Sequence, residues 1–278
     1  MQEGKKYSKI ILYIFLTVYS FLIIVPMMVA VIPTFQTAQE SSRGIFTMPS
    51  HFSFDNYKQA WVSSNFPVAF RNSVIISFGT ILLNIFLGSL AAFPIGIRRK
   101  NKHLQRIFVV FLVGLMLPFQ SVMIPLYTLM GHTLKLSDTY IGIILVYLAM
   151  TLPLTVFFYS QFIASIPKEM EEAAVLDGCG YFYMLWKIYF PLLKPVTAAI
   201  VIEHILFLWN DLLVPLVLID SPQKKPLMPT VYMFFGSYSS QYNLAFSVLV
   251  LGALPLLLLF IIMQKQFISG MSQGAVKG

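Results

Sequence analysis

Ionisable side chains are rare in this sequence, so the few that fall inside apolar runs are conspicuous. Glu203, His204 and Asp211 lie in the run 196–219, with Asn210 beside them. On a helix, Glu203 and Asn210 share a face, and so do His204 and Asp211. Such a set could contact a polar solute, gate a pore or relay protons; the plainer alternative is a buried hydrogen-bond network holding helices together. A second stripe, Ser73, Ser77, Thr80, Asn84, Gly88 and Ala91, recurs every three or four residues. At about 100° per residue these positions make one narrow face of polar and small side chains. It reads as the wall of a translocation path or as a packing seam between helices. The candidate path residues are thus Ser77, Thr80, Asn84, Glu203, Asn210 and Asp211. A third set is acidic: Glu169, Glu171 and Glu172, followed by Ala173, Ala174, Asp177 and Gly178.

Enzymatic chemistry finds little support. His51, His103, His132 and His204 are scattered, without HExxH or other ligand spacing, and no nucleophile–base set is present. Neither a metal nor a catalytic site is expected. A single cysteine, Cys179, excludes an intramolecular disulfide framework and a CxxC site. No GxxxxGK[ST] phosphate loop occurs, so the chain is not expected to hydrolyse ATP by itself.

The elements that must position these residues are membrane helices. Of 278 residues 58% are hydrophobic and 11% charged, against roughly 25% charged in soluble domains. A span needs roughly 20 apolar residues. Six runs qualify: about 10–32, 72–97, 107–130, 140–163, 196–219 and 244–265. The first is too long for the apolar core of a signal peptide, and no small-residue cleavage site follows it. The fold class is therefore all-α, with six transmembrane helices in one membrane domain spanning 1–278. The net charge of +8 comes from bases that flank the apolar runs, which suits anionic lipid headgroups and not nucleic acid. With both termini in the cytosol, thirteen of the 19 Lys and Arg residues fall on the cytosolic side, as the positive-inside bias requires. Lys224 and Lys225 are the dissonant pair. Outside, 52–61 reads as a short amphipathic piece along the interface. No internal repeat of the kind found in many secondary carriers is visible.

The cytosolic loop 164–195 reads as a surface helix. Ser165 is suited to capping its first turn and Pro167 to opening it. Glu169, Glu171 and Glu172 lie where the helix dipole favours negative charge. Gly178 and Gly180 end it. An aromatic stretch, 181–189, then leads through Pro191 and Pro195 into the fifth span.

Glu172-Ala173-Ala174, three residues, Gly178, nine residues, then Ile188 and Pro191 resemble the EAA motif of ABC importer permeases. Asp177 sits where that family often has Asp; Phe190 replaces the usual Leu. WNDLLVPLVL (209–218), MLPFQSVMIPLY (116–127), FDNY (54–57) and the tail 265–278 are similar to segments of the binding-protein-dependent carbohydrate permeases, of the shorter, second-subunit type. The resemblance implies that the loop helix is a coupling helix, with Glu171, Glu172, Ala173, Ala174, Asp177 and Gly178 against a cytosolic ATPase subunit. It further implies a second permease subunit, two ATPase subunits that hold ATP and Mg, and an extracellular or periplasmic solute-binding protein. The setting would be a bacterial or archaeal inner membrane. No cofactor would bind this chain itself. The solute would be a sugar, with a glycerol-phosphate-type solute or a proton-coupled secondary carrier as alternatives.

Overall fold

The computed structural model describes residues 2–235 and 241–275, and every regular element among them is helical. Helices α1 (Gln2–Val31), α2 (Ala38–Arg43), α3 (Asp55–Ser63), α4 (Phe66–Ile97), α5 (Lys102–Met116), α6 (Phe119–Thr128), α7 (Tyr140–Ser165) and α8 (Lys168–Leu176) follow in order. Then come α9 (Tyr181–Leu192), which carries a π-helical turn at Met184–Tyr189, α10 (Lys194–Asn210), α11 (Leu213–Leu218) and α12 (Tyr242–Ala275). Four helices are long and apolar enough to cross a bilayer: Ile10–Phe35, Phe66–Ile97, Tyr140–Ser165 and Tyr242–Ile262. Two bent pairs, Lys102–Met116 with Phe119–Thr133 and Tyr181–Leu192 with Lys194–Asn210, bring the number to six.

The third and fifth runs are not the continuous spans that their hydropathy predicts. The third bends by 99° between Met116 and Phe119. Pro118 is responsible: the residue before a proline avoids the helical region, and Leu117 is extended (φ −80°, ψ 115°). The fifth run, expected over 196–219, is helical from Lys194 to Asn210 and breaks at Asp211. Here the cause is Pro215, which lacks an N–H for the Asp211 carbonyl and whose ring would clash with it.

The chain forms two compact units, residues 1–67 with 230–255, and residues 68–229 with 256–278. In the first, Thr37 and Glu40 form a reciprocal capping box at α2, a T-x-x-E signature visible in the sequence. The FDNY segment forms the start of α3. Asn56 donates to the Thr34 and Gln36 carbonyls, both at 2.8 Å, and Tyr57 donates to the Thr34 hydroxyl at 2.9 Å. Asn243, at the start of α12, donates to Asn56 Oδ1 at 2.9 Å. The expected interfacial piece is thus a helix tied to its neighbours.

In the second unit, α7 lies between α4 and α10. Contacts between α4 and α7 pair residue 72 with 140, 79 with 144, 84 with 151, 88 with 155 and 96 with 163. The numbering rises on both sides, so the two helices run parallel. The chain between them must therefore return to the starting side, and the bent α5–α6 pair makes that return. Against α10 the order is reversed: Tyr159 meets Thr197, Thr155 meets His204, and Tyr147 meets Asp211. α5 also runs antiparallel to α7, with Phe108 stacked on Phe157 at 6.3 Å.

Candidate functional site

The stripe on α4 is a packing seam. Ser73, Ser77, Thr80 and Asn84 are all buried. Thr80 returns its hydroxyl hydrogen bond to the Ile76 carbonyl at 2.8 Å, and Asn84 donates to the Thr151 hydroxyl of α7. A Cβ on Gly88 would lie 2.4 Å from Thr155 Cγ2, and one on Gly96 would lie 2.7 Å from Ile163 Cβ. Small residues here let two helix backbones approach. Asn84 and Gly88 therefore face α7, and Ser77 and Thr80 are buried on the same side of α4.

The polar residues of the fifth run divide between two faces. His204 is fully buried, while the Glu203 side chain is 48% exposed. The carboxylate can only accept, so His204 Nδ1 donates to it, and Nε2 shares a 2.8 Å hydrogen bond with the Thr155 hydroxyl. Asp211 accepts from the Tyr147 hydroxyl at 2.8 Å and from the backbone N–H groups of Leu213 and Val214 at 3.3 and 3.0 Å. It caps α11 at the proline break and ties that break to α7. Asn210 is exposed, donating to the Leu206 carbonyl at 2.8 Å. Glu203 and Asn210 thus share the outward face of α10, whereas His204 and Asp211 face α7. The α7 partners Tyr147, Thr151 and Thr155 escaped the sequence reading. They recur every four residues, the periodicity that revealed the α4 stripe.

On the outer side, Asp138 fastens the start of α7 to the chain after α11. Its carboxylate accepts from the Ser221 backbone at 3.0 Å, the Ser221 hydroxyl and Lys224 Nζ at 2.9 Å. Desolvation works to raise its pKa, but the Ser221 hydroxyl and the Lys224 ammonium outweigh it and hold the group at about 2. Lys224, the base that defied the topology rule, is neutralised by this pair.

The inner loop builds the other site. Ser165 does not cap α8: it ends α7, and its hydroxyl donates to the Phe162 carbonyl at 2.7 Å. The helix begins at Lys168 after Pro167, with no side-chain cap. It ends in a Schellman motif, with Gly178 N–H on the Val175 carbonyl and Cys179 N–H on the Ala174 carbonyl, at 3.0 and 2.9 Å. Gly178 takes φ +75°; Gly180, at φ −70°, needs no such freedom. Glu172, Ala173, Asp177 and Gly178 are exposed and Glu171 is half-buried. Ala174 is not available to a partner: at 5% exposure it packs into the chain's own core with Phe93, Leu185 and Tyr189. Phe93 of α4 meets Tyr181 and Tyr189 edge-on at 4.6 and 5.1 Å, which holds α9 beneath α4. The sequence reading missed the apolar residues that α8 leaves in the open, Val175 and Leu176, the latter 87% exposed. Phe182 on α9 is exposed as well.

A chain of paired membrane helices, two of them broken, with an acidic and apolar helix presented at one end, is also what comparison with known proteins returns. The family described as "Binding-protein-dependent transport system inner membrane component" matches residues 84–273. The chain belongs to that family. The permease is 38% identical over 239 residues to the melibiose/raffinose/stachyose import permease protein MelC of Bacillus subtilis, covering 86% of this chain and 85% of MelC. It is 33% identical over 260 residues to the probable starch degradation products transport system permease protein AmyC of Thermoanaerobacterium thermosulfurigenes, covering 94% of each. A chain in the crystal structure of a bacterial ABC transporter for import of the acidic polysaccharide alginate shares the permease's fold. Its TM-score is 0.78 at 19% identity, over 95% of this chain and 98% of that one.

Proposed function

We propose that the permease forms half of the translocation path of an ATP-driven sugar importer. A second permease subunit supplies the other half, and two cytosolic ATPase subunits bind and hydrolyse ATP with Mg. A solute-binding protein delivers a di- or oligosaccharide from outside, and the complex sits in a bacterial or archaeal inner membrane. The observation that carries this reading is α8. Glu172, Ala173, Asp177 and Gly178 are presented at the inner end of α7, beside exposed Val175 and Leu176, in a chain that has no phosphate loop of its own. A short helix with carboxylates and a bare apolar edge suits a basic-rimmed groove on a partner. The sugar is supported by relatives named for starch degradation products, for melibiose, raffinose and stachyose, and for multiple sugars. No Lys or Arg lies within the apolar runs 72–97, 107–130, 140–163 or 196–219, which suits a neutral solute better than a phosphate ester. Glu203 and Asn210 are the residues of this chain proposed to face the path, because an exposed carboxylate on a membrane helix requires protein or water opposite it.

The experiment is labelled uptake in a deletion strain across a panel of di- and oligosaccharides and glycerol phosphate, with and without ATP depletion. ATP-dependent uptake of one sugar class is expected. Uptake by the purified permease alone in liposomes, driven by an ion gradient, would overturn the reading. Capture of a binding protein by crosslinking from Ser237 or Tyr238 tests the outer contact; both lie outside the described residues.

A further inference from the structure

A cleft of about 490 Å³ opens at the inner ends of α4 and α7. Arg99, Lys100 and Asn101, from the turn after α4, form one wall, and Lys168, Glu171 and Tyr189 form another. Arg98 also borders it, with its guanidinium committed to the face of Tyr181 at 5.7 Å. Four bases thus stand against one carboxylate, and none of the four makes an ion pair among the described residues. Tyr189 adds a second, independent feature. It lines the cleft with its ring against Phe93, and its hydroxyl is left accessible there, without a hydrogen bond among the described residues.

We propose that this cleft binds the phosphate of an anionic phospholipid headgroup from the cytosolic leaflet. Arg99, Lys100 and Lys168 supply the charge, and the Tyr189 hydroxyl donates to a phosphate oxygen. Free phosphate would satisfy the same groups, but the placement favours a lipid. The cleft lies where two bilayer-crossing helices end, the level at which headgroups sit. From Asn101 the chain turns directly into α5, whose Ile107, Val109 and Val110 are exposed and apolar. Acyl chains could follow that helix. The proposal rests on the permease being embedded in the membrane and not on the identity of its solute.

The test uses the permease with the subunits that co-purify with it, in nanodiscs of three kinds: phosphatidylcholine alone, phosphatidylcholine with phosphatidylglycerol, and phosphatidylcholine with added inorganic phosphate. Thermal midpoint and lipid retention by native mass spectrometry are read. Phosphatidylglycerol should raise the midpoint and be retained; inorganic phosphate should do neither. Arg99→Gln should weaken the apparent affinity about fivefold. Tyr189→Phe keeps every charge, and so the topology, and should weaken it about two- to tenfold. Equal behaviour of both variants and the wild type would overturn the site. Inorganic phosphate reproducing the whole effect would overturn the lipid as its source. Loss of a co-purifying subunit from Arg99→Gln, with lipid retention intact, would assign the cleft to that subunit and overturn the proposal.

Discussion

At the scale of single residues, carboxylates do the fastening. Asp211 accepts three hydrogen bonds at the break in the fifth run, one from Tyr147 and two from the backbone. Tyr147→Phe removes one donor and should cost about 1 kcal/mol, whereas Asp211→Ala leaves both the tyrosine and the α11 N–H groups unpaired and should cost about 2–4 kcal/mol. Thermal unfolding of the purified protein should rank the two variants in that order. The Asp138 clasp has a defined acid response. Its pKa lies near 2, below the ordinary value of 3.8, so its stabilisation is complete above about pH 4 and is lost only as pH falls toward 2. Thermal midpoints of the wild type and Asp138→Asn should therefore differ by a constant amount between pH 7 and pH 5 and converge only in stronger acid. Convergence already at pH 5–6 would remove this account of the clasp.

At the scale of elements, α4 and α7 depend on the absence of side chains. Gly88→Val should overpack the seam against Thr155 and cost about 1–3 kcal/mol or prevent assembly. Asn84→Leu should lower stability and leave the KM for uptake unchanged, since Asn84 faces Thr151 and not an open surface. A changed sugar preference would restore Asn84 to the path. This seam also shows what the sequence could convey. The stripe at 73–91 has the period of a helix face, and its six residues do fall on one side of α4; the period does not say whether the opposing surface is solute or another helix. Only the fit of Gly88 against Thr155, a contact 67 positions distant in the chain, resolves that. The existence of six apolar segments and of the surface helix α8 was legible because both are local signals. The breaks at Leu117 and Asp211 were written in Pro118 and Pro215, but proline also occurs intact inside α4, α7 and α12. Whether a helix kinks or parts at a proline depends on what receives the freed carbonyls and N–H groups. At Asp211 the carboxylate itself caps the next helix, and Tyr147 of another helix holds it in place.

At the scale of the whole molecule, transport should depend on α8 more than the stability of this chain does. Gly178 has nothing within 4 Å of where a Cβ would stand. Gly178→Ala should therefore cost only the left-handed backbone strain, about 1–2 kcal/mol. Gly178→Asp and Glu172→Lys should abolish uptake while membrane levels of the protein stay normal, as uptake assays and membrane immunoblots would show. Normal uptake in both would separate α8 from transport. The close seating of Thr155 over Gly88 and of Ile163 over Gly96 carries one further consequence. Interlocked at this spacing, α4 and α7 cannot ratchet past each other by a turn without Thr155 and Ile163 colliding with the α4 backbone. A push delivered to the foot of α7 must then travel up both helices as through a single strut. It would emerge at the other end of the 26-residue α7, at the Asn72–Tyr140 and Asp138–Lys224 knots on the far side.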